Sequence, residues 1–249
     1  FHLSYKDLEV DIDSVFKSEY KIGFKVHSPE LFKGDHILNL CSNDNDYRER
    51  SIIELQRVVD ITRKLKQYFP TTDNPLIITN VGGFSESGFM PEQDKEQMYE
   101  KIAQAINLVD TSGVEIVMQT MPPFPWHFGG QSHHNLFVNH DEIVEFCSET
   151  GYRVCLDVSH SQMACNYYNW SMDDFVKKIG PYIAYLHVVD ALGIDGEGVQ
   201  IGKGDVDFVQ LSKNLDKLAP GSSFIPEVWQ GHKQNGSGFW RALGFLEKY

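Results

Sequence analysis

The chain has no C-x-x-C pair: its four cysteines, Cys41, Cys147, Cys155 and Cys165, are scattered through 249 residues. A zinc ribbon and a thioredoxin-like redox motif are excluded on that ground, and such sparse usage suits a reducing cytoplasm. No stretch approaches the length of continuous apolar residues that a membrane span needs, so no membrane association is expected. No signal-peptide pattern is visible. There is no Lys/Arg-rich run, and 22 basic against 35 acidic residues leave a formal net charge of −13. A chain this acidic repels phosphate backbones, so no nucleic-acid partner is expected. No G-x-G-x-x-G or G-x-x-x-x-G-K-[ST] follows any apolar run, which leaves a doubly wound nucleotide-binding sheet without its signature. Internal repeats and low-complexity segments are also missing.

What is present is an alternation. Hydrophobic residues make up 41% of the chain and charged residues 23%, enough for one substantial core and a single domain over residues 1–249. Strand-like runs occupy 1–4, 23–27, 76–80, 114–119, 153–158, 183–189 and 224–229. Helical periodicity or capping signals fall between them, over 51–68, 91–110, 141–150, 171–179, 208–218 and 238–249. Alternating β and α units imply a parallel sheet. A closed (β/α)8 TIM barrel needs one strand more, so the first strand is expected to lie upstream of Phe1 or to be missing.

The stretch Arg153 to His160, RVCLDVSH, shows the pattern most plainly. Its apolar middle reads as a buried parallel strand. Asp157 emerges where the strand leaves the sheet, with His160 in the turn beyond. Parallel α/β folds bind ligands at such C-terminal strand ends, so this pair can hold a divalent metal. It can equally be a helix N-cap with a neighbouring histidine. The other strand ends carry His27, Asn80, Gln119, His187 and Glu227, and the glycine-rich loop 191–207 adds Lys203, Asp205 and Asp207. Mixed carboxylate, amide and imidazole groups repeated on successive strands are what a hard or borderline cation needs. The long loop 122–137 holds Trp126, His127 and Phe128, placed to wall or close a pocket.

HSP (27–29), TNVGG (79–83), LDVSH (156–160), LHVVDA (186–191), IGKGDVDF (201–208) and FIPEVWQGH (224–232) follow one another as in the xylose isomerase-like TIM barrel superfamily, which this chain resembles over nearly its whole length. That superfamily contains sugar isomerases, sugar epimerases and the endonuclease IV group. MPPFPWHFGG (121–130) is similar to the corresponding loop of bacterial sugar phosphate isomerase/epimerase-like proteins, some of which accompany nonulosonic acid synthesis.

The resemblance implies one divalent metal (Zn, Mn, Mg or Co) held by Gln119, Asp157, His187 and Glu227. Gln119 stands where the family has Glu. Its carbonyl oxygen can ligate, but it cannot take a proton, so a symmetric two-carboxylate epimerisation loses one partner. The expected activity is a sugar or sugar-phosphate isomerase or epimerase working through an enediolate. Glu227 and His160 would be the catalytic groups. His27, Asn80, Asp205, Asp207, Trp126 and Lys203 would be additional metal or substrate contacts. The expected partner is a small carbohydrate, and a homo-oligomer is compatible with the pattern. A non-catalytic barrel module of a larger sugar-biosynthesis protein is the alternative. An endonuclease IV-like hydrolase fits less well, because Asn80, Gln119 and Asp207 replace its ligands.

Overall fold

A strand covered on both faces has no polar side to show, and the near-continuous apolar runs accordingly become parallel strands. The computed structural model describes residues 1–127 and 130–248. Two compact units are distinguished: Phe1–Gly83 with Pro91–Met118, and Phe84–Met90 with the chain from Gln119 onward. No helix among the described residues is long and apolar enough to cross a membrane.

The first unit holds β1 (Val26–His27), β2 (Leu76–Thr79) and the body of β3 (Glu115–Gln119). They run parallel, with Val26 opposite Ile77 and Leu76 opposite Glu115. The expected strand over 1–4 is reduced to one isolated parallel bridge, His2 to His27. Helix α1 (Asn45–Lys66) starts earlier than its apolar periodicity suggests. The Asp44 side chain accepts from the backbone N–H groups of Asp46 and Tyr47 and so caps the added turn. Its buried stripe contains Leu55, Val58, Val59, Thr62 and Leu65, the face expected from the spacing. Helix α2 (Glu92–Asn107) buries Ile102, Ala105 and Ile106.

The second unit holds β4 (Arg153–Asp157), β5 (Ile183–Val188) and β6 (Ser223–Pro226), again parallel. Val154, Cys155 and Leu156 are fully buried. Side chains such as Val154 and Leu156 stabilise the fold by roughly 1.5–3 kcal/mol each. The helices are α3 (His140–Thr150), α4 (Val158–Tyr168), α5 (Met172–Ile179), α6 (Phe208–Leu218) and α7 (Lys233–Leu246). Helix α4 corrects the expected turn after Asp157: His160 lies in its first turn. Helix α7 is interrupted by left-handed backbone at Gln234, Asn235 and Gly236.

One irregularity positions the site. Val154 pairs with Ile183, yet Asp157 pairs with His187, so β5 carries one residue more than β4 between these partners. Without that bulge Asp157 would face Leu186. A one-residue slip sends side chains to the opposite face of a strand. The bulge therefore puts the Asp157 carboxylate and the His187 imidazole side by side.

Among the antiparallel pairs of this unit are two hairpins: Trp126–His127 with Gly130–Gln131, and Asp190–Leu192 with Gly196–Val199. The second is built on Asp190, whose side chain is fully buried. Its Oδ2 accepts from the backbone N–H groups of Gly202, Lys203 and Gly204, and its Oδ1 from those of Ala191 and Val206. A buried carboxylate is tolerated when its lone pairs are filled in this way. Gly204 is required by close approach: a Cβ there would lie 2.0 Å from the Ala191 carbonyl oxygen and 2.5 Å from Asp190 Oδ1.

Candidate metal centre and active site

Three adjacent strand ends deliver Asp157, His187 and Glu227. Asp157 and His187 are register partners, and Glu227 directly follows β6, its N–H donating to the Val188 carbonyl at 3.3 Å. His187 Nδ1 lies 3.1 Å from Glu227 Oε2 and 3.6 Å from Asp157 Oδ2. One ligand atom from each of the three residues falls within 4.8 Å of the other two. Asp157 and His187 are buried, and the Glu227 side chain is 30% exposed, which leaves the cluster open on the glutamate side. Carboxylate oxygens this close repel one another unless a proton or a cation lies between them. Two carboxylates and an imidazole also form a donor set that suits a divalent ion. The residues present fit a metal.

Asp157 uses its two oxygens differently. Oδ1 accepts from the His160 backbone N–H at 2.9 Å and caps α4. Oδ2 faces the cluster and accepts from Gln119 Nε2 at 3.0 Å. The capping and ligating roles expected as alternatives are thus compatible in one side chain. Burial alone would raise the Asp157 pKa, but the His160 and His187 imidazoles outweigh it and hold the carboxyl below its usual range. Gln119 turns its amide nitrogen toward Asp157 Oδ2, and that nitrogen lies 3.4 Å from His160 Nδ1. Ligation through Oε1 requires that amide to turn over.

His160 is held at both nitrogens. Nδ1 donates to the Thr120 carbonyl at 2.9 Å, and Nε2 lies 3.1 Å from Glu197 Oε1. A carbonyl and a carboxylate only accept, so both nitrogens carry hydrogen and the ring is an imidazolium. Burial opposes that charge. The Asp157 and Glu197 carboxylates outweigh it and push the pKa up to about 10. Burial likewise opposes protonation of His187, whose pKa nevertheless lies well above the ordinary value; Cys155, Asp157 and Glu227 favour the proton. Because burial also keeps the Cys155 thiol neutral by raising its pKa, the two carboxylates supply the physical cause.

The profile of the xylose isomerase-like TIM barrel family matches residues 9–249. The chain belongs to the xylose isomerase-like TIM barrel family. It is 27% identical over 201 residues to the uncharacterized protein MJ1614 of Methanocaldococcus jannaschii, covering 80% of this chain and 68% of that one. Among solved structures it resembles D-psicose 3-epimerase with D-tagatose from Clostridium cellulolyticum H10, at TM-score 0.65 and 17% identity over 91% of this chain and 78% of the other. It also resembles endonuclease IV from Thermus thermophilus, at TM-score 0.59 and 16% identity over 90% and 77%. Identities this low show the fold alone.

Each remaining candidate residue has contacts of its own. His27 and Asn80 belong to the first unit. His27 Nδ1 donates to the Ser28 carbonyl at 2.8 Å, and Asn80 Nδ2 to Glu30 Oε1 at 2.6 Å. Asp205 Oδ2 accepts from Gly193 N–H and Asn166 Nδ2, which ties down the Asp190 hairpin. Asp207 caps α6 through Gln210 N–H. Lys203 is exposed, and its backbone N–H serves Asp190. Trp126 is 65% exposed, and its Nε1 donates to Asp195 Oδ1 at 3.1 Å. Phe128 and the His127 side chain lie outside the described residues. The sequence motifs do not single out Glu197 or Thr120. Glu197 sits between two glycines in a loop, and no periodicity links it to a histidine 37 residues away.

Proposed function

We propose that this chain is a divalent-metal-dependent sugar or sugar-phosphate isomerase or epimerase that moves a proton through an enediolate. The convergence of Asp157, His187 and Glu227 ligand atoms within 4.8 Å carries the reading. The barrel's likeness to a D-psicose 3-epimerase supports the substrate class. Asp157, His187 and Glu227 would hold the ion, with Gln119 as fourth ligand once its amide turns over. When bound, the ion supplies Lewis-acid stabilisation of negative charge developing on a sugar oxygen.

The side chains perform the rest. Glu227 is the most open of the three and serves as the base that removes a proton from the carbon beside the sugar carbonyl. His160, its two N–H groups engaged by the Thr120 carbonyl and Glu197 Oε1, would favour negative charge on a nearby sugar oxygen through the charge of its ring. Asp157, its Oδ1 committed to the α4 cap, keeps the cluster anchored to a helix end.

Gln119, where the family resemblance implies a carboxylate, supports a second reading, a barrel that binds a carbohydrate without turning it over. Elemental analysis and isotope exchange separate the two. The enzyme reading expects stoichiometric Mn, Zn, Co or Mg, and deuterium appearing at carbon when ketoses and aldoses are incubated in D2O. A purified protein that takes up no divalent ion at excess metal would sink it.

A further inference from the structure

Gln119 removes a carboxylate from the place where an epimerase of this family would use one, and the structure brings another carboxylate to the site from a different element. Glu197 lies in the hairpin strand Gly196–Val199. Its Oε1 stands 3.1 Å from His160 Nε2, while His160 Nδ1 stands 3.5 Å from Asp157 Oδ2. One imidazole ring therefore separates the Glu197 carboxylate from the candidate metal cluster. The Glu197 side chain is 52% exposed, so it can meet a ligand.

The hairpin is held in place on several sides. Asp195 Oδ1, near its tip, accepts from Trp126 Nε1 at 3.1 Å and from Gln131 Nε2 at 2.7 Å. Gly193 is bonded through its N–H to Asp205 and through its carbonyl to Asn166 Nδ2. Gly198 N–H donates to Ser159 Oγ at 3.3 Å. Asp190 secures the base of the hairpin with its backbone bonds. So many local ties on a short glycine-rich segment fix where Glu197 points, which is what proton transfer needs of a loop residue.

We infer that Glu197 is the second proton-transfer carboxylate of this site, replacing the function absent at Gln119, with His160 and the Trp126–Asp195 contact positioning it. The inference rests on the proposed function and deepens it: the site then performs epimerisation beside a ketose carbonyl. Glu227, ionised, takes the proton from the substrate carbon. The C–H electron pair forms the C=C bond of the enediolate, and the carbonyl pair moves to oxygen. Glu197, a carboxylate at rest against the His160 ring, takes a proton from solvent at its exposed side and delivers it to the other face of that carbon as the oxygen pair re-forms the carbonyl. The proton on Glu227 leaves to water, so each turnover takes one proton from solvent and returns one. No oxidant or further reactant is consumed.

The test uses the full chain loaded with Mn²⁺, Co²⁺ or Mg²⁺ and a panel of ketopentoses, ketohexoses and aldoses, free and phosphorylated, in D2O. The wild type is expected to invert one centre and to place solvent deuterium there. Glu197→Gln should bind metal at wild-type stoichiometry and still exchange the substrate proton through Glu227. Its inversion should fall about a hundredfold or more, in the range of a lost general acid or base. In metal-free protein, the ¹⁵N resonance of His160 Nε2 should move in Glu197→Gln, and less in Trp126→Phe. A folded, metal-loaded Glu197→Gln that inverts at the wild-type rate overturns the inference and leaves the proposed function standing. Wild-type protein that exchanges no C–H bond in any ketose or aldose, free or phosphorylated, overturns both.

Discussion

Replacing Asp157 by asparagine and by alanine separates its two roles. Oδ1 caps α4 through a buried 2.9 Å hydrogen bond, and Oδ2 faces His187 and Gln119. Both variants lose the negative charge that the metal cluster needs. Asparagine caps a helix as well as aspartate does, and alanine does not. In urea unfolding without metal, Asp157→Ala should therefore be less stable than Asp157→Asn by about 1–2 kcal/mol, the upper part of the capping range because the bond is buried. Adding metal at a hundred times its dissociation constant should stabilise the wild type by about 2.7 kcal/mol. Neither variant should gain that increment, and elemental analysis should find both without stoichiometric ion. Equal metal-free stabilities would refute the capping argument. Wild-type metal uptake by Asp157→Ala would refute its place in the cluster.

The raised pKa of His187 predicts proton release on metal binding. Metal-free protein holds that proton at neutral pH, and a ligating imidazole must give it up, so each ion bound near pH 7 should release about one proton in a weakly buffered titration. Affinity should rise with pH. Conversely, the stability that His187 protonation contributes without metal is fully present below the unfolded-state pKa and is lost as pH rises through the higher folded one. The Asp190 loop makes a second prediction. Gly204→Ala forces a Cβ against the Ala191 carbonyl, and Asp190→Ala strands five backbone N–H groups. Each should cost about 2 kcal/mol or more by chemical denaturation. A loss below about 0.5 kcal/mol, the range of neutral surface changes, would refute the packing argument.

Strand runs, most helix faces and the polar residues at the strand ends are legible in the chain alone, because their signals are local: an apolar run such as Val154–Leu156, a stripe such as Leu55–Leu65, a carboxylate just past a strand. The family resemblance rested on the order of the same short motifs. Which strand-end residues meet is a matter of three-dimensional packing. Asp157 faces His187 because a bulge in β5 shifts the register by one residue, and no composition or periodicity marks that bulge. Asp205 and Asp207 look as metal-capable in the chain as Glu227, yet hydrogen bonds to Gly193 and Gln210 engage them in a hairpin tie and a helix cap. Glu197 reads as one acid among the glycines of a surface loop. Only the hairpin built on Asp190, a contact pattern spread over residues distant in sequence, sets its carboxylate against His160.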